Sequence, residues 1–116
     1  MKRQQAERRG RSAEASAEEW LRERGWEILD RRRKTPLGEI DLVARLGQTV
    51  AFIEVKWRRR AQELGLAIDE YRLRRVAAAV GAVAHEYAMD GDDMRIDVIL
   101  LAPGRSPDHI VNAWQP

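Results

Sequence analysis

No cysteine occurs among the 116 residues, which excludes disulfides, zinc–thiolate centres and cysteine nucleophiles and leaves oxygen donors or histidine for any metal. With only two histidines, the expected ion is a hard, oxygen-bound cation such as magnesium, with manganese the alternative. No apolar run approaches the roughly 20 residues that a membrane-spanning helix requires. Met1 to Arg11 has none of the apolar stretch of a secretion signal, so a cytoplasmic protein without membrane contact is expected. Aromatic residues are scarce at 6%, which makes the tryptophans the natural large anchors. Trp20, Trp26 and Trp114 read as core residues, and Trp57 reads as cover for a hydrophobic edge rather than a platform for a base. His85 and His109 have no neighbour at metal-ligand spacing and read as structural. The hydrophobic share of 44% is sufficient at this length for one core and leaves no room for a second domain.

The net charge of +2 conceals an asymmetry: residues 1–75 hold 19 of the 21 basic side chains and 13 of the 19 acidic ones. Such a division suggests a basic face toward a polyanion. The clusters are Lys2-Arg3, Arg8-Arg9 with Arg11, Arg31-Arg32-Arg33-Lys34, Arg58-Arg59-Arg60, and Arg72 with Arg74-Arg75. Arginine predominates, and its planar fork suits bidentate phosphate contacts. Arg32, Arg33, Lys34, Arg58, Arg59, Arg60, Arg72 and Arg75 are the candidate nucleic-acid contacts. Arg72, Arg74 and Arg75 fall in the first turns of an expected helix, where positive charge opposes the macrodipole and a phosphate would offset the cost.

Residues 1–11 read as a flexible basic amino-terminal segment and residues 12–116 as a single domain. From Ser12 the apolar positions Ala13, Ala17, Trp20 and Leu21 recur at helical spacing, and Gly25 can end that helix. Glu14 borders the stripe. Trp26 to Arg33 reads as a strand with Trp26, Ile28 and Asp30 opposite Glu27, Leu29 and Arg31; Pro36 and Gly38 mark a turn. Two further strand-like runs follow, Gly38 to Ala44 and Thr49 to Trp57, joined by turn material at Gly47 and expected to pair as an antiparallel hairpin. Asp69 caps a helix to about Ala88, with Leu73, Val76, Ala77, Val80, Ala84 and Tyr87 as its stripe. Arg95 to Ala102 is another apolar strand and His109 to Trp114 a short terminal one. The order is helix, three strands, helix, two strands, an α/β class.

The chemistry concentrates on the hairpin. Alternation along a strand puts Glu39 with Asp41 on one side of the first run and Glu54 with Lys56 on one side of the second. An ammonium beside several carboxylates, on strands otherwise apolar, is costly to desolvate unless a divalent cation holds it together. Asp41 and Glu54 are the natural ligands, with the Val55 backbone carbonyl as a further oxygen. Lys56 is the candidate cation for activating a water or stabilising developing phosphoryl charge. The competing interpretation is a cross-strand salt-bridge cluster at the surface, which would contribute little.

Asp41 followed by Glu54-Val55-Lys56 resembles the PD-(D/E)-x-K nuclease constellation, and the element order resembles the restriction-endonuclease-like core, a mixed central sheet flanked by helices. A fuller likeness runs from Gly10 onward: Ala13-Glu14, Trp20-Leu21, Gly25-Trp26, Gly38-Glu39-Ile40-Asp41-Leu42-Val43-Ala44, Phe52-Ile53-Glu54-Val55-Lys56 with Arg58, Arg95-Ile96-Asp97-Val98, and His109-Ile110 with Asn112-Ala113-Trp114. Together these resemble the YraN family (uncharacterised protein family 0102), small bacterial proteins of unproven role, predicted to be endonucleases and similar to archaeal Holliday junction resolvases. The resemblance implies catalytic positions at Asp41, Glu54 and Lys56, the helix glutamate at Glu14 and an additional acid at Glu39. It also implies DNA as substrate and a homodimer matched to a two-fold junction. The chain departs from the family pattern at Ala13, Trp57 and Arg72-Leu73, where glycine, threonine and a lysine-glutamine pair are usual. A magnesium-dependent nuclease is the leading expectation. A non-catalytic nucleic-acid-binding module and a protein-interaction scaffold are the alternatives.

Overall fold

The computed structural model describes residues 2–60 and 69–114, with side chains described from Ser12 onward. The basic side chains of the first eleven residues therefore lie outside the described ones. Helix α1 spans Lys2–Glu23, followed by strands β1 (Glu27–Thr35), β2 (Gly38–Leu46) and β3 (Thr49–Trp57). Helix α2 (Glu70–Val83) runs into a 3-10 turn (Ala84–Glu86), and strands β4 (Asp93–Leu101) and β5 (Asp108–Ile110) complete the chain. Helix α1 begins well before the expected Ser12. The preceding stretch lacks an apolar stripe, but it is rich in Lys, Arg, Gln, Ala and Glu, all good helix formers. Gly25 closes the helix at φ 91°, a conformation that glycine adopts without strain.

The five strands form one mixed sheet in sequence order, β1-β2-β3-β4-β5. Only β3 and β4 run parallel, linked by the α2 crossover; the other neighbours are antiparallel. Among the described residues each face carries one α-helix. Ala13, Ala17 and Leu21 of α1 pack with Leu42, Ala44, Ala51, Ile53, Ile99 and Leu101. Leu73, Val76, Ala79 and Val83 of α2 pack with Ile40, Val43, Val50, Phe52, Ile96, Val98 and Leu100. The central strands β3 and β4 are thus apolar on both faces, as a doubly covered sheet requires. In α2, Ala79 and Val83 join the expected Leu73 and Val76 as buried positions, whereas the expected Ala77 and Val80 pack at the margin. Asp69 caps α2 as expected, its carboxylate accepting from the Tyr71 and Arg72 amides at 2.9 and 3.4 Å.

Strand β1 departs from simple alternation twice. Its register against β2 shifts between Ile28 and Asp30, so Asp30 turns to the α2 side, where the Tyr87 hydroxyl donates to it at 2.6 Å. The expected grouping of Asp30 with Trp26 and Ile28 is thereby corrected: a bulge adds one residue and flips the side chains that follow it, here Asp30 and Arg31. Farther along, Arg32 adopts φ 49°, the left-handed region that arginine rarely occupies. Strand β5 is only three residues long, ending at Ile110 rather than at the expected Trp114, and Asn112 takes φ 54° two residues beyond it.

Candidate metal centre

The β2–β3 hairpin pairs from Leu46↔Thr49 to Leu42↔Ile53 and no further. Both strands continue past that point, to Gly38 on β2 and Trp57 on β3. The result is a fork whose open end holds Glu39, Asp41, Glu54 and Lys56. Opposite Asp41, the β1 ladder skips Arg32 although Arg31↔Leu42 and Arg33↔Ile40 pair on either side. This paired irregularity rotates β2: Leu42 belongs to the α1-side core and Ile40 to the α2-side core, although residues two apart share a face in a regular strand. Asp41 lies at the seam between the two layers and can reach both.

On the α1 side, Glu14, Glu39 and Asp41 each offer one oxygen, all within 4.8 Å of one another. On the other side, Asp41 Oδ2 accepts from the Val55 amide at 2.9 Å. Lys56 Nζ lies 3.1 Å and Arg72 Nε 2.7 Å from Glu54 Oε1. Glu54 is 1% exposed, and its second oxygen, Oε2, is buried with no hydrogen-bond partner among the described residues. Burial pushes the Asp41 carboxyl up to about 8, and the adjacent Glu54 charge adds to the rise; the Val55 amide opposes both. An Asp41 that carries a proton at neutral pH can donate it toward the otherwise unpartnered Glu54 oxygen. Two near-buried carboxylates that cannot comfortably ionise together are a cluster whose charge a divalent cation would balance.

The expected candidates Glu14, Glu39, Asp41, Glu54 and Lys56 thus occupy one neighbourhood in two linked halves, with Asp41 common to both. The surface salt-bridge alternative does not describe it, since Asp41 and Glu54 are buried. The basic candidates divide. Arg72 joins the site through Glu54, Arg32 donates from Nε to Glu14 at 2.7 Å, and Arg33 makes a two-pronged pair with Glu86 at 2.6 and 3.0 Å. Arg58 donates to the carbonyl of Trp57, while Lys34, Arg59, Arg60 and Arg75 are exposed. Arg75 shares a small concavity with Gly38, Glu39 and Arg72. Trp57 packs on the α1-side core as expected.

Sequence reasoning missed a second polar centre. Asp97 on β4 is fully buried and accepts from Arg95 Nη2 at 3.0 Å and the Asn112 amide at 2.9 Å, with His109 Nε2 at 2.8 Å. Trp20 and Trp26 meet the His109 ring edge-on. Burial alone would raise the Asp97 carboxyl, but His109, Arg95 and the amide outweigh it and lower it below the usual carboxylate value. Every acceptor is satisfied, so this centre anchors β5 to β4; it confirms the structural role expected for His109. The Arg-x-Asp spacing on one strand face was the only hint in the sequence.

A profile of Uncharacterised protein family UPF0102 matches residues 13–101. A UPF0102 protein of Erythrobacter litoralis is 67% identical over the full length of both chains, and one of Sphingopyxis alaskensis is 61% identical over the same span. A third, from Rhizorhabdus wittichii, is 53% identical over 94% of this chain and 92% of its own. The chain belongs to the UPF0102 family.

Proposed function

We propose that this UPF0102 protein is a magnesium-dependent nuclease that hydrolyses phosphodiester bonds in DNA, with branched DNA as the structure-selective substrate. The observation that carries this reading is the fork. A buried aspartate whose ionisation is opposed by burial and by Glu54, a buried glutamate with an unsatisfied oxygen and a lysine ammonium are brought together where β2 and β3 separate. Such a site stores unfavourable electrostatics that a structural cluster has no reason to keep, and perturbed groups of this kind concentrate where chemistry occurs.

Asp41 and Glu54 would hold the ion, with the Val55 carbonyl as a further ligand and Glu14 and Glu39 extending the oxygen set. When bound, the cation supplies charge neutralisation at the phosphoryl oxygens and activation of a water. To serve as a ligand Asp41 would have to be ionised, its proton released to solvent. Lys56, anchored on Glu54, holds its ammonium at the mouth of the fork, where it can stabilise charge developing on the phosphate. Lys34, Arg58, Arg59, Arg60 and Arg75 supply phosphate contacts on the strand flanks. A homodimer would present two such forks to a two-fold branched substrate.

The test is a cleavage panel of labelled junction, flap, single-stranded and duplex DNAs with magnesium or manganese, comparing wild type with Lys56→Ala. Metal-dependent cleavage lost in the variant supports the assignment. Salt-sensitive binding without cleavage by wild type would favour the non-catalytic module instead, and absence of DNA affinity would favour a scaffold.

A further inference from the structure

Arg32 stands in an unusual position for a strand arginine. Its backbone is left-handed at φ 49°, a strained conformation for a non-glycine residue that persists where the surroundings impose it. The consequence is directional. Arg31 pairs with Glu18 of α1, and in a regular strand Arg32 would point the opposite way, yet it too reaches α1, at Glu14. Arg33 then turns to Glu86 on the other side.

The strain therefore aims a guanidinium at the acidic group. Arg32 is bonded to Glu14, which groups with Glu39 and Asp41. These are the same three residues whose oxygens lie within 4.8 Å of one another. Its side chain is 38% exposed, which leaves it an open path to swing outward. A fixed positive charge beside those carboxylates opposes the entry of a second cation, so both cannot hold Glu14 on equal terms.

We propose that Arg32 is an exchangeable counter-ion: it neutralises Glu14 and its neighbours until a divalent cation binds, yields the carboxylates to that ion, and is then free to take a phosphate of the incoming strand. This rests on the reading of the fork as a cation site. It makes Arg32 a positioning residue that links cation binding to nucleic-acid binding.

The experiment is calorimetric titration of the full chain with manganese in the absence of DNA, using wild type, Arg32→Asn, Arg32→Lys and Arg31→Asn. Asparagine accepts the left-handed backbone, and Arg32→Gly, which takes that φ freely, serves as the second neutral variant should Arg32→Asn fold poorly. Arg32→Asn is expected to bind manganese about tenfold more tightly, a change of about 1.4 kcal/mol. Arg32→Lys and Arg31→Asn should stay within about threefold of wild type. Unchanged or weaker binding by both neutral variants would overturn the exchange while leaving the cation site intact. If wild type shows no manganese binding that Asp41→Asn abolishes, the cation site itself falls. A second readout uses a fluorescent duplex with calcium. The slope of log affinity against log salt should be steeper for wild type than for Arg32→Asn by about one phosphate contact; equal slopes would contradict the phosphate half of the proposal.

Discussion

Replacing Asp41 with asparagine should stabilise the folded chain, and increasingly so as pH rises. The carboxyl is raised from 3.8 to about 8 by burial and by Glu54. A group with a raised folded-state value contributes stability that is fully present below its unfolded value and lost as pH climbs through its folded one. Between those limits the folded protein must keep a proton that the unfolded chain releases, at about 1.4 kcal/mol per pH unit. From pH 5 to pH 8 the penalty accumulates to about 4 kcal/mol as an upper figure. Asparagine copies the protonated acid: its carbonyl can accept from the Val55 amide and its NH2 can donate toward Glu54 Oε2. Urea denaturation of wild type and Asp41→Asn at several pH values, without divalent ions, measures the difference directly. The gap between the curves should widen steadily from pH 5 toward pH 8, with the variant the more stable. A variant of lower stability at pH 8, or a difference independent of pH, would refute the reasoning.

Three further outcomes follow from the same geometry. Asp97→Ala leaves Arg95 and His109 without their shared acceptor, so it should lower stability by about 3–5 kcal/mol in chemical denaturation; because the Asp97 carboxyl is lowered, its contribution in wild type should disappear as pH falls through a value below 3.8. Gly38→Ala would put a methyl 3.1 Å from the Arg75 carbonyl oxygen, pushing β2 and α2 apart at the fork, and should cost about 1 kcal/mol together with a measurable loss of manganese affinity. Tyr87→Phe removes the donor that lowers the Asp30 carboxyl, so NMR titration should show Asp30 protonating at higher pH, with a stability loss of about 1–2 kcal/mol.

The hairpin was legible because its signals are local. Alternating apolar residues, a glycine corner at Gly47 and a shared strand end for Asp41 and Glu54 are all written within twenty positions. The helix stripes were legible for the same reason, as was the Asp69 cap. The two irregularities of β1 were not, since neither the Ile28/Asp30 bulge nor the left-handed Arg32 has a residue type that announces it. They matter disproportionately: they put Asp30 against Tyr87 and aim Arg32 at the acidic group. The same holds for long-range pairs. Arg32–Glu14 and Arg72–Glu54 each join residues 18 positions apart on different elements, so basic clusters that looked available for phosphate are partly committed to acids. Asp97 and His109 meet only because β5 folds back on β4, a closure that a three-residue strand barely signals.

The most direct measurement is an anomalous-scattering map from crystals of the full chain soaked in manganese. A peak at the open end of the β2–β3 fork, within ligand distance of Asp41 and Glu54 and lost in Asp41→Ala crystals, is the predicted result. Well-ordered crystals with no peak there, or with manganese bound only elsewhere, would contradict it.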